Sequence, residues 1–261
     1  MKKKRLEEFD RELDKLRIKE KDSKWFKVFA EVFDSFTLKN LYKLKKRHNL
    51  EMGGVVNTGK EAHIFIGKVD DRDVAVKIYM MTTSNFKAMA DYILGDHRFS
   101  NVRKTKRDII LAWAQKEYKN LKRAKNADVD VPEPYDVYKN ILIMEFLGKN
   151  GVPFPTLKEC ELIEDFTKED MVLAIEQIID NMMRLYKDAE LVHADLSEYN
   201  VLWDSESKRV FIIDMGQGVT LEHPNAEMFL LRDVKNIVRL AKKYGLKYDA
   251  ESVLSKVKGY D

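Results

Sequence analysis

The chain has one cysteine, Cys160, in 261 residues. A single thiol closes no disulfide framework and builds no cysteine zinc site, so the composition reads as that of an intracellular, cytoplasmic protein. No apolar run approaches the ~18 residues of a membrane span. The opening MKKKRLEEFD is basic but lacks an apolar core, and it does not read as a secretory signal. Residues 1–50 contain neither glycine nor proline, so nothing there interrupts a helical pattern. No internal repeat or low-complexity tract appears. Charge of one sign is not in excess either: the net charge is +3, and any attraction for a polyanion has to come from local clusters.

What is present supports a full core. Apolar residues make up 44 % of the chain, and the length suits one large domain or two lobes. Charged residues reach 35 %, rich in Lys and Glu, as thermophile surfaces are and as any solvated helical surface is. In residues 1–50, Trp25, Phe26, Phe29, Val32, Phe33 and Phe36 recur at helical spacing, a core-facing stripe. Gly53-Gly54 breaks this helix. AHIFIGKV and DVAVKIY then read as strands joined by a hairpin around VDDRD. Residues 82–107 are polar and basic and lack a clear period. A helix is expected over about 108–125. VPEPYDVYKN is a proline-marked turn with a short strand, and ILIMEFLG is a buried strand ending at Gly148. Beyond it the pattern is mostly helical, interrupted by NVLW and RVFIID, a second hairpin across DSESK. The expected architecture is α+β and two-lobed. Residues 1–50 form a helical extension packed on the rest, 51–147 a strand-rich N-lobe with a flexible insertion at 82–107, and 148–261 a reduced helical C-lobe. A ligand between the lobes is the default expectation.

GVVNTGKE resembles a P-loop but has Glu61 where a P-loop needs Ser or Thr, and a strand rather than a helix follows it. A glycine-containing turn between strands can still lay backbone N–H groups over phosphates, with Asn57, Thr58 and Lys60 adding side chains and Val56 beside them; many such turns are plain hairpins. Lys77 ends an alternating strand, as a phosphate-pairing lysine does. Such a lysine needs an acidic partner on a helix, and Glu117 is the candidate.

HADLSEYN supplies His193, Asp195 and Asn200 in the pattern H-x-D-x-x-x-x-N of protein-kinase-like catalytic loops. Asp195 would accept or orient the proton of an attacking hydroxyl, and Asn200 would hold a magnesium ion. Asp214-Met215-Gly216 stands where kinases carry D-F-G, which makes Asp214 the second metal ligand. Each motif alone has a plain structural reading, a turn or capping residue; their order and placement together point to a protein-kinase-like fold. By that layout MEFLG is the hinge, with the Glu145 carbonyl and Leu147 amide facing adenine and Met144 behind it.

The details resemble the RIO family of atypical serine kinases, in particular its first branch in archaeal form. The residues that carry the likeness are NTGKEA (57–62), GDHRF (95–99), KEYKNL (116–121), LVHADLSEYN (191–200) and IIDMGQGV (212–219), within a match of roughly 35–245. Asn57 replaces the family's usual Ser. Ala194 stands where ordinary kinases have Arg, and no A-P-E follows the D-M-G, so the activation loop and peptide-docking helices are expected to be missing. The stretch before the phosphate turn is short for the winged helix of the second branch.

The resemblance implies ATP- and magnesium-dependent serine autophosphorylation, with manganese an alternative ion, ATP hydrolysis, and a role in late maturation of the small ribosomal subunit. Autophosphorylation is expected in 82–107, at Thr82, Thr83, Ser84, Ser100 or Thr105. Residues 39–48 hold five Lys/Arg and no acid, and 96–107 hold five and one acid; such patches can track a phosphate backbone or simply be solvated. Three functions stand: a protein-serine kinase, an ATP-gated assembly factor, and a small-molecule kinase of the aminoglycoside type. GKEA, the basic insertion and the absence of an acidic substrate-binding C-terminal region argue against the third.

Overall fold

The computed structural model describes residues 33–260. Trp25, Phe26, Phe29 and Val32 of the aromatic stripe lie outside them, while Phe33 is buried and Phe36 half-buried. Helix α1 (Ser35–His48) is capped by the Asp34 side chain, which accepts from the amides of Phe36 and Thr37. It ends at Asn49, in the left-handed region (φ 49°), and not at Gly53-Gly54. Asn tolerates that conformation, so the turn comes earlier and both glycines fall inside a strand.

That strand is β1 (Glu51–Thr58), followed by β2 (Ala62–Val69) and β3 (Arg72–Tyr79). With β4 (Pro134–Tyr138) and β5 (Ile141–Glu145) they form one antiparallel sheet in the order β1-β2-β3-β5-β4. The β2–β3 turn is two residues long, with Asp70 and Asp71 both at positive φ, the geometry that matches strand twist. β3 is buried on both faces, and its alternation sorts the side chains. Val74, Val76 and Ile78 pack under Leu38, Leu41 and Leu44 of α1. Ala75, Lys77 and Tyr79 face the other way, and all three line the central cavity.

Residues 82–107 lack a clear sequence period but still form local structure. Helix α2 (Phe86–Leu94) and a single 3-10 turn at His97–Phe99 bury Met89, Ile93 and Phe99 against helix α3 (Lys106–Asn126). Two turns of helix offer too few repeats for a period to stand out. The segment also reaches the C-lobe. Tyr92 stacks on Phe229 with centroids 5.3 Å apart, and a β-carbon at Gly95 would lie 2.1 Å from His223 Nε2, so only glycine allows that approach.

The link between the lobes carries the small hairpin β6 (Gly148–Lys149) and β7 (Val152–Pro153). A short helix α4 (Leu157–Cys160) leads to α5 (Lys168–Lys187), whose Thr167/Asp170 capping box fixes its start. Strands β8 (Leu191–Val192) and β11 (Val219–Thr220) pair, as do β9 (Val201–Asp204) and β10 (Arg209–Ile212). Helices α6 (Ala226–Lys243) and α7 (Ala250–Lys258) complete the described residues. Buried residues from β8 to β11 and from α5, α6 and α7 share one core.

Candidate active site

A cavity of about 470 Å³ lies between the lobes. Val56 and Asn57 line it from the end of β1, Lys60 from the β1–β2 turn, Lys77 from β3, Met144 and Glu145 from the end of β5, Leu147 from the inter-lobe link, and Asn200 and Asp214 from below. Of the other expected site residues, Thr58 ends β1 on an exposed position, Glu117 is fully buried behind Lys77, and Asp195 sits beside the lining residues through its bonds to Asn200. At the link, the Glu145 amide donates to Glu133 O and the Leu147 carbonyl accepts from Phe154 N. The Leu147 amide meets no acceptor among the described residues, which leaves it available to a ligand.

Lys77 is the centre of charge. Its Nζ donates to Glu117 Oε1 at 2.8 Å and to Asp214 Oδ1 at 2.9 Å. Burial alone would lower its pKa, but the Asp214 and Glu117 carboxylates outweigh that, and it ends above the ordinary lysine value. Burial pushes Glu117 up, against the pull of Lys77. The Lys77 ammonium holds the Asp214 carboxyl below the usual range. The Asp214 side chain is 49 % exposed, so it presents oxygen to the cavity.

The catalytic-loop candidate is braced from all sides. His193 Nε2 donates to Ile213 O at 2.9 Å while Nδ1 accepts from Asp195 N, which places the ring proton on Nε2. Asp233, on α6, accepts from the amides of Ala194 and Leu196 at 2.8 and 3.0 Å. Arg232 donates to Ala194 O, and Asn236 to Leu196 O. These bonds hold Ala194 at φ 64°, while Asp214 stands at φ 62°. Left-handed non-glycine residues are costly unless their surroundings impose them; here one lies beside Asp195 and the other is the candidate metal ligand. Burial raises the Asp195 pKa despite His193 nearby, and burial pushes Asp233 up to about 6.

Asn200 Nδ2 donates to Asp195 O at 2.8 Å, which leaves Oδ1 free to face a cation. Among the described residues no group of three or more His, Cys, Asp or Glu could hold a metal by itself. An amide oxygen, one half-exposed carboxylate and substrate phosphate oxygens suit magnesium, which seldom takes an all-protein cage.

Sequence reasoning overlooked Asp233, Gln217, Lys116 and Asn120. The last two stand on either side of Glu117 in KEYKNL. Lys116 Nζ donates to Gly216 O at 2.9 Å and to Gly218 O, and Asn120 Nδ2 to Met215 O and Gly218 O at 2.8 and 2.7 Å. Their spacing of four on one helix was the available signal. After Gly218 the chain passes through β11 and enters α6 at Ala226, with no extended activation segment between.

A strand lysine paired to a helix glutamate, set against an H-x-D loop and a D-M-G under an antiparallel sheet, defines a protein-kinase-like phosphotransferase. The RIO domain family matches residues 63–253. A RIO-type serine/threonine-protein kinase Rio1 from Haloferax volcanii is 41 % identical over 254 residues, 96 % of this chain and 84 % of that one. The Methanocaldococcus jannaschii Rio1 is 41 % identical over 88 % of this chain and 78 % of its own. Human serine/threonine-protein kinase RIO1 is 36 % identical over 87 % of this chain but only 39 % of its own length. The solved Rio2 kinase of Chaetomium thermophilum superposes with a TM-score of 0.61 at 23 % identity, over 83 % of this chain and 66 % of that one, a likeness of fold. The chain belongs to the RIO family of protein kinases, on its Rio1-like branch.

Proposed function

We propose that this protein transfers the γ-phosphate of ATP to serine hydroxyls of proteins, its own included, and hydrolyses ATP at the same site. The observation that carries the reading is the bond of Lys77 to both Glu117 and Asp214 at one wall of the cavity, with Asn200 at the other. Phosphoryl transfer asks for position and charge neutralisation rather than covalent chemistry. Lys77 binds phosphate oxygens, and Glu117 keeps it aimed. Asn57, Lys60 and the amides of the β1–β2 turn cover the phosphates, with Thr58 at the edge. Val56 and Met144 flank the base, which bonds the Glu145 carbonyl and Leu147 amide. Asp195 accepts or orients the hydroxyl proton. Asn200 and Asp214 would hold magnesium, which supplies charge neutralisation at the phosphates; manganese would take the same ligands. Asp214→Ala should abolish the magnesium-dependent part of nucleotide binding. Identical magnesium titrations of mutant and wild type would remove the assignment.

A second reading has its own support. With α6 following so soon after the D-M-G-Q-G segment, no docking surface for a peptide is built from that stretch, and positioning supplies much of the rate. The exposed Lys39, Lys43, Lys46 and Arg47 of α1, and Arg103, Lys104 and Arg107 before and within α3, are basic. On this reading the protein is a cytoplasmic ATP-gated assembly factor that meets RNA or protein of small-subunit precursors through these surfaces, and hydrolysis releases it. The discriminating measurement is ATP turnover with and without small ribosomal subunits. Salt-sensitive stimulation supports the switch, and fast phosphorylation of a free peptide supports the kinase.

Of the five expected autophosphorylation positions, Thr83 is buried and its Oγ1 accepts from Asn85 N. Thr82, Ser84, Ser100 and Thr105 are exposed, and Thr105 caps α3. Ser84 and Ser100 therefore lead.

A further inference from the structure

We infer that Gln217 is a positioning residue for Asp195, and that Lys116 and Asn120 exist to keep Gln217 in place. The inference rests on Asp195 as the residue that handles the hydroxyl proton. Gln217 Nε2 donates to Asp195 Oδ2 at 2.9 Å. The backbone amide of Asp195 is engaged by His193 and its carbonyl by Asn200, whose Nδ2 lies 3.4 Å from the same Oδ2. Gln217 thus makes the shorter side-chain bond to that oxygen, and Oδ1 is left without a hydrogen-bond partner among the described residues.

The clamp around Gln217 is unusually complete. Carbonyls on both sides of it, Met215 and Gly216 before and Gly218 after, are bonded by the two α3 side chains. Lys116 and Asn120 are both fully buried. Gly218 N also returns to Met215 O at 3.2 Å. The flanking glycines let the helix come close: a β-carbon at Gly216 would lie 2.8 Å from Trp113 Nε1, and one at Gly218 3.0 Å from Asn120 Nδ2. Burying a lysine against carbonyls with no bonded carboxylate is costly, and among the described residues its hydrogen bonds go to the D-M-G-Q-G segment. Glu117, between Lys116 and Asn120, meanwhile holds Lys77. One turn of α3 therefore sets the phosphate-pairing lysine and, through Gln217, the carboxylate across the cavity. Ordinary kinases order the loop at this place through an arginine beside the catalytic aspartate; here that position is Ala194, and the order comes from α3.

The test is a double-mutant cycle in single-turnover phosphotransfer with ATP, with the KM for ATP and the melting temperature measured alongside. Gln217→Ala should lower the rate about tenfold or more, the scale expected when a reacting group drifts by a fraction of an ångström, with KM for ATP within about twofold. In an Asp195→Asn background the same substitution should cost less than about twofold, because residues acting as one unit are not additive. Gln217→Glu keeps the shape and removes the donor, so it should lose at least as much as alanine without a drop in melting temperature. An equal loss in both backgrounds, or a loss confined to KM, would overturn the inference. Its failure is distinct from failure of the assigned role of Asp195: if Asp195→Asn alone keeps more than a tenth of the activity, that role falls whatever Gln217 does.

Discussion

The two walls of the cavity are built in opposite ways. The β1–β2 turn is exposed from Asn57 to Lys60, and β1 pairs with β2 through two irregularities, between Met52 and Val55 and between Val55 and Asn57. The loop from His193 to Asn200 is bonded by Asp233, Arg232 and Asn236 of α6 and by His193 and Asn200 of its own sequence. The difference suits the roles proposed for the two walls. A turn that lays amides over phosphates gains from compliance, since phosphates enter and leave beneath it. A carboxylate that must meet one proton gains from being fixed, and rigid support brings buried polar partners with it.

Substitutions at the two walls should therefore separate sharply. The largest effect is expected at Asp195→Asn, which should lose about a hundredfold or more in phosphotransfer while nucleotide affinity, measured by calorimetry, stays near wild type. Next comes Asp233→Ala. It leaves two buried amides without an acceptor and should destabilise the protein by about 2–4 kcal/mol in urea unfolding, with a fall in turnover at temperatures where it remains folded. A loss below about 0.5 kcal/mol would show the loop to be braced some other way.

Asp233 also yields a pH signature. Its native pKa of about 6 lies above the ordinary aspartate value. Between those values the native state holds a proton that the unfolded chain has released, so this group's stabilisation is complete at low pH and is lost as pH rises through about 6. The stability difference between wild type and Asp233→Asn should shrink from pH 4 to pH 6.5, by at most about 1.4 kcal/mol per unit. A difference that grows over that range would reverse the sign assigned here. The smallest effect belongs to the compliant wall: Asn57→Ala should shift stability by less than about 0.5 kcal/mol and weaken ATP binding only a few-fold, read by fluorescence titration. A collapse in affinity at Asn57 would mean that the turn is as demanding as the loop.

The same contrast explains what could be read from the sequence. Lys77, Glu117, Asp195, Asn200 and Asp214 could be proposed from the sequence because they stand in a spaced pattern, and the fold brings them together. β2 to β5, β9 and β10 were legible from short apolar or alternating runs and α3 (expected over about 108–125) from its long period, whereas β1, whose glycines read as a break, and the two-residue strands were not. Asp233, Gln217 and Lys116 were not. They bond backbone atoms or another side chain far along the chain, and no spacing rule links Asp233 to Ala194. α2 was hidden for a different reason, since its apolar face amounts to little more than Met89 and Ile93. The end of α1 was misplaced because two glycines are a louder signal than one asparagine.

The insertion's hold on the C-lobe changes how this molecule breathes. A pair of lobes joined at one hinge can swing open about it, and product leaves at the pace of the swing. Besides the chain at Phe146–Gly148, the lobes here are tied by the stack of Tyr92 on Phe229 beside the Gly95–His223 contact, and by the bonds of Lys116 and Asn120 to Met215, Gly216 and Gly218. Opening has to part these contacts too, and none of them belongs to the residues that line the cavity. A methyl group at Gly95 would press on His223 and loosen one of these ties, with every residue that lines the cavity left as it was.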